Sequence, residues 1–141
     1  MRTNISGGSP YEPIIGFSRA VRVGNSVLLS GTGPVGADEL DAAGQTRRVF
    51  EIAAEALAKV GARFEDVVRT RMFLAHREDW EAVGRVHGEV FGEIRPAATM
   101  VVVAQLLNPA WRIEIDMDAV IADAPAAKAN ATEDRQLTTD H

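Results

Sequence analysis

The stretch from Arg95 to Ala122, RPAATMVVVAQLLNPAWRIEIDMDAVIA, constrains the fold more than any other part of the chain. Its second half alternates strictly. Trp111, Ile113, Ile115 and Met117 fall on one face, and Arg112, Glu114, Asp116 and Asp118 on the other. A period of two with one apolar side predicts a strand that is packed on one face and polar on the other. The first half, residues 97–107, is apolar on both faces and rich in β-branched residues, which predicts a central strand. Asn108-Pro109 stands between the two as a turn. The pair is therefore expected as a hairpin, with Glu114 near its start as the evident place for chemistry.

The upstream chain supplies partners for such a hairpin. Residues 17–23 and 26–30 are short apolar runs separated by Gly24-Asn25, a two-residue connection typical of a β-hairpin. Residues 45–60 place Val49, Phe50, Ile52, Ala53, Ala56, Leu57 and Val60 in helical register, with Gly61 to stop the helix. Residues 66–75 read as a strand with Thr70, Met72 and Leu74 on one side and Arg69, Arg71 and Phe73 on the other. A second helix is predicted over 77–93, with Trp80, Val83, His87, Val90 and Phe91 in register. The order β-β-α-β-α-β-β predicts an α+β fold, one mixed sheet with both helices packed on one face. Two helices cover one face only, so the other is expected to be buried in further copies of the chain. Residues 1–14 are expected as a loosely held lead-in, 15–124 as the single domain and 125–141 as a mobile tail.

Composition removes several functions. The chain of 141 residues, 46% hydrophobic and 25% charged, is an ordinary globular domain. No apolar run approaches the ~20 residues a bilayer requires, and no signal pattern opens the sequence, so a cytoplasmic protein without membrane contact is expected. With no cysteine, disulfides and thiolate chemistry are excluded. A formal charge of −5 argues against nucleic acid as the main partner. His76 and His87 lack metal-ligand spacing, so neither metal nor cofactor is expected. Gly31, Gly33 and Gly36 match a dinucleotide-binding spacing, but Pro34 interrupts it and no helix opens there. They read instead as a strand-end turn with bare backbone. Gly84, Gly88 and Gly92 recur every fourth residue of the second helix, which predicts close approach to the sheet or the first helix.

Several pieces in order resemble the Rid (YjgF, L-PSP) family: Ser30-Gly31 closing the second strand, residues 67–74, Arg95-Pro96-Ala97, and Ile113-Glu114-Ile115 leading into Ala122. The resemblance runs from about Ile15 to Ala122. It implies a chorismate-mutase-like subunit, a homotrimer around a central sheet barrel, and small-molecule clefts between subunits. Its best-known members hydrolyse reactive imines and enamines to 2-keto acids and ammonia. By resemblance, Glu114 is the catalytic carboxylate and Ser30 and Gly31 the assisting turn. This chain departs from the pattern elsewhere. The substrate-binding arginine falls at Ala98, the tyrosine at Phe17 and the helix asparagine at Gly84, while Met100 and Trp111 make the cleft more apolar. Arg71 is the first candidate for a replacement anchor and Arg19 the second. Three readings stay open: a divergent imine or enamine hydrolase, a trimeric small-molecule-binding protein without turnover, and, least favoured by the charge, an RNA-acting relative.

Overall fold

In the computed structural model, which describes residues 1–122, the alternating segment becomes strand β6 (Ile113–Val120) at the heart of a six-stranded sheet. The others are β1 (Arg2–Ile5), β2 (Ala20–Val23), β3 (Ser26–Thr32), β4 (Val67–Leu74) and β5 (Ala97–Val102), in the spatial order β1-β2-β3-β6-β4-β5. Helices α1 (Ala42–Ala58) and α2 (Trp80–Phe91) pack on the same face. The α+β class and the one-sided helical layer are as the sequence predicts.

The expected hairpin between residues 97–107 and β6 does not form. β4 lies between the two, pairing parallel with β5 and antiparallel with β6. After Val102 the chain crosses the end of β4, where the Val103 N–H donates to the Leu74 carbonyl and the Ala75 N–H to that of Arg112. The Asn108-Pro109 turn belongs to this crossover, with the Asn108 side chain accepting from the Ala110 N–H. β5 is thus an edge strand of the subunit rather than a central one, and Val101 and Val102 remain 41% and 51% exposed. At the other end, residues read as a lead-in carry β1, paired with β2 from Arg2↔Val23 to Ile5↔Ala20. A π-helical turn, Glu12–Gly16, follows it.

The core is built from the faces that periodicity assigned. Ile113, Ile115, Met117, Met72 and Leu74 are all no more than 3% exposed, and they meet Val49, Phe50, Leu57, Val83 and Phe91 from the helices. Edge-on aromatic contacts of Phe50, Phe64 and Phe91, with centroids 5.4–6.0 Å apart, join the helices to the 3₁₀ turn Phe64–Asp66. His87 lies beside Phe91 and bonds Thr70 across to the sheet (2.9 Å), and burial lowers its pKa from the ordinary value. Trp80, expected in the core register, is 55% exposed at the start of α2.

α1 begins three residues earlier than its apolar pattern, because the Asp41 carboxylate caps it by accepting from the Gly44 N–H (2.9 Å). The glycine series on α2 is not explained by close packing. A Cβ at Gly84 would meet only the Met100 methyl at 3.8 Å, and one at Gly88 would meet nothing within 4 Å; only at Gly92 would it strike backbone, the Gly88 carbonyl at 2.8 Å. Gly88→Ala is therefore expected to raise unfolding free energy by about 1 kcal/mol, read from a higher denaturant midpoint. A lower midpoint would mean that another surface occupies this position.

β3 carries a bulge near its end. Leu29 pairs with Met117 and Thr32 with Ile115, so Ser30 and Gly31 together oppose Asp116. The helix-free face carries Leu28, Val101 and Val120, each 41–53% exposed. They surround the Arg71–Asp116 (2.9 Å) and Arg69–Asp118 (3.7 Å) ion pairs.

Candidate functional site

The bulge sets bare backbone against the first polar residue of β6. A Cβ at Gly31 would lie 3.1 Å from Glu114 Oε1, and a Cβ at Gly33 would lie 2.1 Å from the Trp111 ring. The two glycines thus seat one functional side chain each, the carboxylate and the indole. This close approach accounts for the glycine-rich turn that matches a dinucleotide spacing only weakly. Trp111 Nε1 also donates to Asp38 Oδ1 (3.1 Å), and the Arg112 N–H beside it donates to the Gln45 side chain (2.7 Å). Gln45 is fully buried and donates to the Ala110 and Asp38 carbonyls, so α1 holds the crossover loop in place.

Gly31, Gly33, Trp111 and Glu114 line a cleft of about 1080 Å³ that also takes in Phe17, Arg19 and the π-helical turn. Glu114 is half-buried. Desolvation pushes its pKa up, Arg19 pulls it down, and Asp116 raises it again. Arg19 comes from the start of β2, with its guanidinium carbon 5.8 Å from the Phe17 ring centroid. Its Nη2 donates to the Gly31 carbonyl (2.5 Å), while its buried Nε has no hydrogen-bond partner, the one such side-chain atom among the described residues. Burial lowers the Arg19 pKa, and the carboxylates of Glu12 and Glu114 oppose that shift. Glu12 is only 8% exposed and is fixed by the Gly7 N–H (2.8 Å), which holds its carboxyl below the usual range. Arg19 thus stands at the cleft between two carboxylates, Glu12 and Glu114, each of which acts on its charge.

The residues singled out from the sequence divide into groups. Glu114, Gly31, Phe17 and Trp111 line the cleft. Ser30 adjoins it, but its hydroxyl is taken by the Ser18 carbonyl (2.6 Å). Arg71 lies outside, its Nε on Asp116 (2.9 Å) across the helix-free face. Gly84, Ala98 and Met100 sit at the far side of the sheet, on α2 and on β5, which β4 separates from β6. Arg19, ranked behind Arg71, and Glu12, not singled out at all, belong to the cleft. The available signal for Arg19, one of two arginines in the run 17–23, was its spacing of two from Phe17, which puts both on the same strand side.

No helix among the described residues is long and apolar enough to cross a membrane, and none of their acidic and histidine groups is placed to hold a metal ion. Comparison with known proteins places this architecture. The family model for endoribonuclease L-PSP matches residues 8–121. An uncharacterized protein of Streptomyces coelicolor is 39% identical over 119 residues, covering 82% of this chain and 89% of that protein. A 2-iminobutanoate/2-iminopropanoate deaminase of Dermatophagoides farinae is 34% identical over 122 residues, covering 78% of this chain and 89% of that protein. A solved structure from Mycobacterium tuberculosis, a member of the highly conserved YjgF/YER057c/UK114 family, has a TM-score of 0.81 at 42% identity, covering 86% of this chain and 100% of that one.

Proposed function

The chain belongs to the endoribonuclease L-PSP (YjgF) family, and on that premise we propose that it hydrolyses 2-imino acids and their enamine tautomers to 2-oxo acids and ammonia. The observation that carries this reading is the half-buried Glu114 carboxylate, set against the bare backbone of Gly31 beside Arg19. In the reaction, Glu114 takes a proton from water as the water oxygen bonds to the imine carbon, and the C=N electron pair passes to nitrogen. Glu114 then delivers that proton to nitrogen, giving the carbinolamine; it next takes the carbinolamine hydroxyl proton and passes it to the amine as the C–N bond breaks and the C=O bond forms. Ammonia and the 2-oxo acid leave. Arg19 is the carboxylate anchor in place of the arginine that the family pattern would put at position 98.

The working unit is a homotrimer. The apolar residues on the helix-free face support it, as does the separation of Gly84, Ala98 and Met100 from Glu114 within one subunit. A ring of subunits would bring the β5 edge of one copy to the cleft of the next. Nucleic acid is not favoured, since Arg19, Arg48 and Lys59 in the cleft are matched by Glu12, Glu55 and Glu114. A binding protein without turnover is the second reading, favoured by the commitment of Arg19 Nη2 to the Gly31 carbonyl.

The test is 2-oxo acid release from imines generated by an amino acid oxidase, measured with and without the purified protein. Acceleration is expected, and none at all would leave only the binding reading. Arg19→Ala is expected to raise KM for a carboxylated imine roughly 10–100-fold, the scale of one charge-assisted contact. An imine without a carboxylate should be unaffected. Equal loss on both substrates would remove Arg19 from the anchoring role.

A further inference from the structure

Within one subunit, before the β5 edge of a neighbouring copy is brought to it, the cleft of about 1080 Å³ exceeds what a three- or four-carbon imino acid requires, since pockets of ~300–1,000 Å³ already hold drug-sized ligands. Its buried and half-buried charges, Glu12, Arg19 and Glu114, act on one another at one end. Tyr11, Ile15 and Leu107 stand 60%, 68% and 97% exposed elsewhere along it. Trp111 lines the same cleft. The indole is outside the buried core cluster, so core packing does not explain why it is held. It is nonetheless fixed by the absent side chain of Gly33, by the bond from Nε1 to Asp38 and by the Gln45 clamp on its neighbour. A large aromatic ring pinned in a cleft, with one flank left open, is a ready stacking surface.

We propose that the cleft takes 2-imino acids with a large apolar, preferentially aromatic, side chain, and that Trp111 sets this preference. The proposal rests on the imine-hydrolase reading for its chemistry but not for its binding order. The carboxylate and imine occupy the Arg19–Glu114 end, and the side chain lies along the indole. An aliphatic chain of similar size gains the burial but not the ring-on-ring contact, and a methyl group gains neither.

Calorimetric titration with pyruvate, 4-methyl-2-oxopentanoate and phenylpyruvate, the product-like acids, tests this without turnover. Phenylpyruvate is expected to bind roughly tenfold or more tighter than pyruvate, with the branched acid between. Trp111→Ala should bring phenylpyruvate close to pyruvate, and Trp111→Phe should restore much of the difference. Equal affinity of the wild-type protein for all three acids, or no binding of any, would overturn the proposal whether or not the variants fold. So would a loss in Trp111→Ala that is equal for every acid. The two readings separate in the kinetics. Ordered binding without imine turnover removes the hydrolase and keeps the preference; turnover indifferent to side-chain size does the reverse.

Discussion

Glu114→Gln is expected to cut 2-oxo acid release by about 10²–10⁴-fold, the usual contribution of a positioned acid–base group. Glutamine keeps the volume beside Gly31, where Oε1 stands 3.1 Å from the position a Cβ would occupy, so the fold should be unaffected. The pH profile gives an independent signature. The carboxylate is needed unprotonated to accept from water, so kcat/KM should rise with pH through the Glu114 pKa. Desolvation lifts that pKa above its usual 4.5, and Arg19 opposes the lift. In Arg19→Ala the opposing charge is gone, so the rising limb should move to still higher pH. Retention of wild-type rate by Glu114→Gln would transfer the acid–base role to another group. A limb that stays in place in Arg19→Ala would mean that the two charges do not interact.

The largest effect on stability is expected at Gln45. Its amide donates to the Ala110 carbonyl (2.9 Å) and its carbonyl oxygen accepts from the Arg112 N–H (2.7 Å), in a site with no exposure to solvent. Leucine matches the size but removes the partner of the Arg112 N–H and of the Ala110 and Asp38 carbonyls, all part-buried bonds, and an unpaired buried group costs about 1–3 kcal/mol. Gln45→Leu is thus expected to lower unfolding free energy by roughly 3–4 kcal/mol and Tm by roughly 10 °C, at fixed protein concentration. The same clamp positions the loop bearing Trp111, so binding in the cleft should weaken with it. An unchanged denaturant midpoint would show that the loop finds other partners.

Periodicity made much of this fold legible. The inward faces of β4 and β6 and the Gly24-Asn25 hairpin are set by local rules, alternation and turn chemistry. Strand neighbours are set by what else competes for an edge. Residues 97–102 and β6 are adjacent in sequence, yet β4 offers edges to both, and the ten-residue connection is long enough to cross its end. The site divides in the same way. Glu114 could be singled out because it stands just after the turn, on the polar face of a strictly alternating strand. Arg19 could not be ranked first, because its neighbours Glu12 and Gly31 come from other parts of the chain. Strand alternation favours Arg71, but alternation cannot show that Asp116 lies opposite it.

The extra residue in β3 has a consequence for how such a site arises. Leu29 and Thr32 both face the core, at 3% and 1% exposure, although three steps separate them. Removing either Ser30 or Gly31 would restore plain alternation and leave both inward, so the scaffold would survive the deletion while the seat of the carboxylate would not. Chemistry here is detachable from architecture by a change of one residue in chain length. If the proposed hydrolysis holds, its loss or gain between relatives is to be sought in single-residue indels at the end of β3 as much as in substitutions of the acid itself.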